Sequence, residues 1–188
     1  MKFTISKNGI RLLSIISLYV GSSLYSFAQP DLIYLLRHAP KQTDAIDSKN
    51  PPISADGEKL AQQLAVRLKD EQISAVISSH LLRTQQTAQP TANAHQLTVT
   101  IPSQATSLTA HVDEVEALAM AQDGVVLIVG HSNTVPMLIE KLGGPPLANL
   151  SENAYGDLFI LRLTPDPTPS STLSPKVGPK LQQERLSW

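Results

Sequence analysis

The sequence predicts an α/β fold, a three-layer sandwich with a mostly parallel central sheet flanked by helices. Three observations carry that expectation. Leu32-Ile33-Tyr34-Leu35-Leu36 and Val125-Val126-Leu127-Ile128-Val129 are short continuous apolar runs, the pattern of strands buried on both faces. Segments of helical periodicity lie between the runs. Polar residues of unusual chemistry follow three of the strand candidates directly, as expected where ligands bind outside the carboxyl ends of a parallel sheet.

The elements follow in order. After the first strand a polar loop runs over 40–52, and Ser54 is placed to cap a helix. In that helix Leu60, Ala61, Leu64, Ala65 and Leu68 recur at helical spacing. Ala75-Val76-Ile77-Ser78 reads as a second strand, and the spacing predicts a helix over 82–94 that Pro90 kinks or ends. A short strand over 97–101 and a helix over 112–121 precede the Val125–Val129 strand. A further helix over 134–142 stops at Gly143-Gly144-Pro145-Pro146, and 158–163 reads as the last strand.

The chain of 188 residues suits one domain with a real core, and at 41% hydrophobic but 4% aromatic that core is expected to be aliphatic. A formal net charge of -1, with no basic run beyond the first 28 residues, argues against nucleic acid as a partner. The absence of cysteine excludes disulfides, thiolate metal sites and cysteine nucleophiles. Lys2, Lys7 and Arg11 precede an apolar stretch over 12–24 and then Ser26-Phe27-Ala28, the layout of a secretory signal peptide cleaved after Ala28. The stretch is short for a membrane span, so the mature protein is expected to be exported, periplasmic or secreted, without stable membrane association. The expected organisation is a signal peptide over 1–28, a folded domain over 29–164 and a Pro/Ser-rich tail over 165–188, mobile from Thr164 to about Pro179.

Arg37-His38 ends the first strand. Such a pair either simply marks the surface there or builds a site, since both side chains bring polar atoms close to the sheet. His131 follows the Val125–Val129 strand through Gly130, either as a turn histidine or as a nucleophile when neutral or a hydrogen-bond donor to phosphate when charged. Arg83 opens a helix, where free N–H groups favour anions and a guanidinium adds donors matched to phosphate oxygens. Its bland alternative is a solvated surface arginine.

Together these residues resemble a known family. Leu35-Leu36-Arg37-His38-Ala39 resembles the Arg-His signature of the histidine phosphatase (phosphoglycerate mutase-like) superfamily. The run from Ser78 through Arg83-Thr84 to Thr87-Ala88 resembles its second motif, and Val129-Gly130-His131-Ser132-Asn133 its third. The resemblance spans 31–163, and the compact length is similar to that of the small phosphatase members. It implies that His38 accepts the phosphoryl group as phosphohistidine while Arg37, Arg83 and His131 bind the phosphate oxygens. It also implies a phosphorylated small molecule or phosphoprotein as substrate, and no metal or cofactor.

One departure concerns leaving-group protonation. Many members carry a Glu or Asp well after the second-motif arginine, whereas 98–110 here holds no carboxylate. His111 and Asp113 are the nearest candidate proton donors, although Asp113 and Glu114 also fit the acidic start of an amphipathic helix. A phosphoramidate asks less of a donor than an alkyl ester does. The leading expectation is therefore a metal-independent phosphomonoester or phosphoramidate hydrolase. The alternative is a pocket that binds phosphorylated ligands without turnover, and a histidine metal site is a weak third. His80 and His95 are expected at the surface, Lys41 as a solvated side chain, and Tyr155 and Asp157 either at the pocket rim or in packing roles.

Overall fold

The computed structural model describes residues 29–103, 105–163 and 178–188. The proposed signal peptide and most of the Pro/Ser-rich segment lie outside the described residues. The elements, in chain order, are β1 (Pro30–Arg37), α1 (Ala55–Leu68), β2 (Ile73–Ser78), α2 (Leu82–Ala94), β3 (Val99–Thr100), α3 (Leu108–Met120), β4 (Gly124–Gly130), α4 (Thr134–Lys141), β5 (Asp157–Arg162) and β6 (Lys180–Arg185).

The strands form one mixed sheet in the order β3-β2-β4-β1-β5-β6. β1 and β2 both run parallel to β4, and β3 runs parallel to β2. β5 and β6 add antiparallel pairings on the far side of β1. Side chains alternate across each strand, so β1 divides its apolar run between two cores. Leu32, Tyr34 and Leu36 pack with Leu60, Leu64 and Leu68 of α1 and Ala88 and Ala92 of α2. Ile33 and Leu35 pack on the other face with Val112 and Val115 of α3 and Leu138 and Ile139 of α4. The three layers expected from the sequence are these two helix pairs and the sheet between them. Each fully buried Leu or Ile contributes roughly 1.5–3 kcal/mol, which is what fixes the strand register.

Local chemistry explains the helix boundaries. Ser54 Oγ accepts the Gly57 N–H at 3.2 Å, and Asp56 and Glu58 in the first turn complement the dipole of α1. α2 continues to Ala94 with Pro90 inside it, so Pro90 does not end the helix. α3 starts at Leu108, capped by Ser107, four residues before the sequence pattern placed it. Asp113 and Glu114 therefore lie beyond its first turn, and the expectation that they supply its acidic start is corrected.

The C-terminal boundary also changes. Lys180–Arg185, expected within a tail over 165–188, is the edge strand β6, and Leu186 is buried in the core. Arg67 of α1 holds Glu184 at 2.7 Å, and Arg185 holds Asp157 at 3.1 Å. An edge strand faces water along one side and is free to be polar, so Lys-Leu-Gln-Gln-Glu-Arg gives no apolar pattern to detect.

Candidate active site

The parallel register brings three strand ends to one place. Arg37 pairs with Gly130 and Ser78 with Val129. The His38 N–H continues the β1–β4 ladder onto the Gly130 carbonyl at 2.9 Å. The rings of His38 and His131 consequently lie 5.5 Å apart, edge to face. Gly130 is needed for close approach rather than for an unusual backbone angle. A Cβ there would sit 2.7 Å from Thr134 Oγ1, which accepts the His131 N–H at 2.8 Å.

His38 is buried, and its Nδ1 lies 2.8 Å from the Ala39 carbonyl oxygen. Only an N–H can serve that contact, so the proton is on Nδ1 and the lone pair on Nε2. The lone pair accepts Arg83 Nε–H at 3.2 Å. A buried hydroxyl ties the two motifs together behind this contact. Thr87 Oγ1 accepts the Ala39 N–H at 2.9 Å and donates to the Arg83 carbonyl at 2.7 Å.

His131 Nε2 lies 2.9 Å from Ser79 Oγ, which lies 2.8 Å from Thr84 Oγ1. Thr84 Oγ1 is 2.7 Å from the Leu81 carbonyl, a pure acceptor, and that sets the direction of the chain. His131 Nε2–H donates to Ser79, Ser79 to Thr84, and Thr84 to Leu81.

Arg37 is 3% exposed. Its Nη1 donates to the Ser151 and Ala154 carbonyls at 2.7 and 3.3 Å. Its Nη2 donates to Glu152 Oε2 at 2.7 Å and to the Tyr155 hydroxyl at 3.3 Å. The guanidinium lies over the Tyr155 ring, 4.3 Å from its centre. Arg37 Nε is buried and has no hydrogen-bond partner among the described residues.

Arg37, His38, Ser79, Arg83, His131 and Glu152 line a cavity of about 650 Å³, together with Lys41, His80, His111, Ser132 and Asn149. Burial pushes His38 down to about 4, and the charges of Arg83, Arg37 and Lys41 act in the same direction against the Ala39 hydrogen bond. Burial, and then His38 and Arg83, push His131 down to about 3. Burial also lowers Arg83, followed by the neighbouring charge of Arg37. Two histidines whose neutral forms are favoured thus face two guanidiniums, with Arg37 and His38 buried and Arg83 and His131 half-buried. Such a site can bind an anion and present it to an unprotonated imidazole.

The sequence model of the Histidine phosphatase superfamily (branch 1) matches residues 33–105. Over that stretch, less than half of its length, the chain is similar to this superfamily. Solved structures of similar fold include the protein histidine phosphatase SixA complexed with tungstate, at 19% identity and a TM-score of 0.56, covering 82% of this chain and 96% of that one. A candidate phosphohistidine phosphatase SixA from Nakamurella multipartitia is 23% identical, with a TM-score of 0.59 over 82% of this chain and 95% of that one. Mycobacterial glucosyl-3-phosphoglycerate phosphatase is 15% identical, with a TM-score of 0.52 over 70% of this chain and 89% of that one. At these identities the likeness is one of fold. No curated protein matches the chain.

The superfamily resemblance drew attention to Arg37, His38, Arg83 and His131, and the fold brings all four together. The candidate donors separate. His111 lines the cavity, half-buried, and burial followed by the charge of His80 lowers its pKa. Asp113 does not line it; its carboxylate pairs with Lys141 at 3.0 Å. Glu114 is bound to Ser103 N–H and Oγ, both at 2.7 Å. Tyr155 is in the site, 6.1 Å from His38 between ring centres, whereas Asp157 is taken by Arg185. Exposed His80 stands at the cavity mouth, and His95 bonds the Leu68 carbonyl. Among the described residues, no group of three or more His, Asp or Glu side chains is placed to hold a metal ion. Ser79 and Glu152 were missed. Ser79 lay inside a recognised motif without a chemical role, and Glu152 sits in a polar loop that no spacing links to Arg37.

Proposed function

We propose that the protein is a phosphatase that hydrolyses a phosphomonoester or phosphoramidate through a phosphohistidine on His38, without a metal ion. The observation that carries this reading is the orientation of His38. Its Nδ1 proton is committed to Ala39, so the Nε2 lone pair faces Arg83 inside the cavity. The Nε of buried Arg37, in the same cavity and without a hydrogen-bond partner among the described residues, supports an anion as the ligand.

In the proposed reaction the phosphoryl oxygens draw Arg83 Nε–H away from His38, which frees the lone pair. His38 Nε2 attacks phosphorus in line, the P–N bond forms, and the bond to the leaving oxygen or nitrogen breaks. Arg37, Arg83 and His131 hold the three equatorial oxygens, where charge gathers in the transition state. An anion beside His131 favours its protonated form, so substrate binding itself raises its pKa. His111, on the cavity lining, is the group we assign to give the leaving atom its proton. Water then attacks phosphorus and gives up a proton to His111, the P–N bond breaks, and phosphate, neutral His38 and reprotonated His111 result.

The test is hydrolysis of p-nitrophenyl phosphate by the wild-type protein and by His38→Ala. We expect turnover insensitive to chelators, a loss in the variant of about 10³-fold or more, and a trapped phosphoenzyme that is stable to base and labile to acid. Tungstate binding without turnover of any good phosphate substrate would instead make the protein a phospholigand-binding member of the superfamily. Chelator-sensitive turnover would restore a metal.

A further inference from the structure

Glu152 contributes the only carboxylate that lines the cavity among the described residues. It belongs to the loop between α4 and β5, which the Leu150 N–H ties to the Ser132 carbonyl at 2.9 Å, next to His131. Both carboxylate oxygens are held. Oε2 takes Arg37 Nη2 at 2.7 Å, and Oε1 takes Ser132 Oγ. The side chain is nonetheless 73% exposed. The Ser132 hydrogen bond, followed among the favourable influences by the Arg37 charge, keeps the carboxylate ionised.

Holding Arg37 does not by itself account for this residue. Arg37 already has two backbone carbonyls and the Tyr155 ring and hydroxyl. An ion pair with one partner so open to solvent adds little to stability. What Glu152 alone supplies is a fixed negative charge between the arginine floor and the mouth. Its influence extends to Arg83, which it favours in the charged form. The other fixed charge on the lining outside the floor is exposed Lys41.

We propose that Glu152 is a specificity-determining residue that selects by the charge of the leaving group. A phosphoryl group seated on Arg37 and Arg83 leaves the rest of its substrate beside Glu152 at the mouth. A leaving group with an ammonium or N–H donor meets an ionised acceptor there, and one with a second anion meets a like charge. The preferred class is therefore phosphate esters or phosphoramidates with cationic or N–H-bearing leaving groups, and Lys41 opposes part of that preference. The inference rests on the phosphatase reading and adds a direction of selection to it.

The test uses two esters of similar size and opposite charge, O-phosphoethanolamine and 2-phosphoglycolate, with p-nitrophenyl phosphate as a third substrate of uncharged leaving group. Comparing each variant with the wild type cancels the intrinsic reactivity of each ester. Glu152→Gln keeps the shape and an acceptor for Arg37 but removes the charge. We expect the kcat/KM ratio of phosphoglycolate to phosphoethanolamine to rise about tenfold in that variant, the size expected for one unit charge in a partly solvated mouth. Hydrolysis of p-nitrophenyl phosphate should change by no more than about threefold. Lys41→Gln should move the ratio the other way. If all three substrates fall together and the ratio holds, Glu152 merely positions Arg37 and the inference is overturned. If the wild type turns over none of them, the phosphatase reading fails. The dissociation constants of the two charged esters, measured by titration calorimetry on both proteins, then decide the charge selection separately.

Discussion

The floor and the rim of the cavity are built on opposite principles. The floor consists of Arg37, His38, Ser79 and His131, set at the ends of β1, β2 and β4, with Arg83 from the start of α2. Arg37, His38 and Ser79 are each less than 5% exposed. Aliphatic packing on both faces of the sheet fixes their register, so a one-residue slip would expose the whole apolar run. The rim consists of Lys41, His80, His111 and Glu152, which come from loops and a helix start and are half-buried or exposed. Electrostatics follow that division at its extremes: burial is the largest influence on His38 and His131, and on half-buried His111, whereas a hydrogen bond is the largest on exposed Glu152. Chemistry that needs dehydration sits where the core enforces it, and chemistry that needs contact with varied substrates sits where the backbone can vary.

The largest effect that would break this comparison is in stability against pH. His38 is pushed from an ordinary 6.5 down to about 4, so the unfolded chain binds its proton first. The associated stability is fully present above pH 6.5 and is lost as pH falls through about 4. For His38 alone that loss is about 3 kcal/mol by pH 4. His131, pushed down to about 3, adds to it in the same window. Urea midpoints measured between pH 7 and pH 4 should fall steeply in the wild type and less steeply in His38→Gln. Phosphate or tungstate should flatten the wild-type curve, since a bound anion favours the charged imidazoles. An equal slope in both proteins would mean that the floor is wetter than the geometry indicates.

A smaller effect tests how the floor is braced. Thr87→Val keeps the shape of a side chain with no exposure, but it removes the acceptor for Ala39 N–H and the donor to the Arg83 carbonyl. Leaving that buried N–H unpaired costs roughly 1–3 kcal/mol. It also loosens the carbonyl that sets the His38 tautomer. We expect a lower urea midpoint and a fall in kcat larger than any change in KM. A stability loss with kcat intact would separate the brace from the chemistry.

The same division explains what could be read in the sequence. Arg37-His38 and Gly130-His131 were legible because each directly follows an apolar run that can only be a buried strand. Arg83 was legible through its place at a helix start inside a spaced motif. The two helix pairs followed from the spacing of Leu60, Leu64 and Leu68 and of their counterparts on the opposite face. The direction of β5 was not legible, because a strand buried on both faces reads the same in either direction. β6 was hidden by its polar edge composition. Glu152 was hidden because its meaning depends on Arg37, a residue it meets only through the fold. The acidic residues after β3 misled for the same reason: sequence proximity to a family position put Asp113 forward, and helix phase turned it away.

The smallest expected effect concerns Asp113. It lies in the second turn of α3, two positions beyond His111, and a helix rotates by about 100° per residue. Two positions therefore carry the side chain to the opposite side of the helix, where it meets Lys141 of α4 at 3.0 Å. Lys141 also holds Glu116 at 3.2 Å, so it keeps a partner when Asp113 is neutralised. Asp113→Asn should leave kcat/KM for p-nitrophenyl phosphate within about twofold of wild type and move the melting temperature by no more than a degree or two, roughly what solvated ion pairs contribute. His111→Ala, one half-turn away on the cavity side, should lower kcat more for an alkyl phosphate than for p-nitrophenyl phosphate, whose leaving group needs no proton. A tenfold loss in Asp113→Asn would mean that proton donation reaches the leaving group through α3 itself, and the line between floor and rim would have to be redrawn to include the helix behind His111.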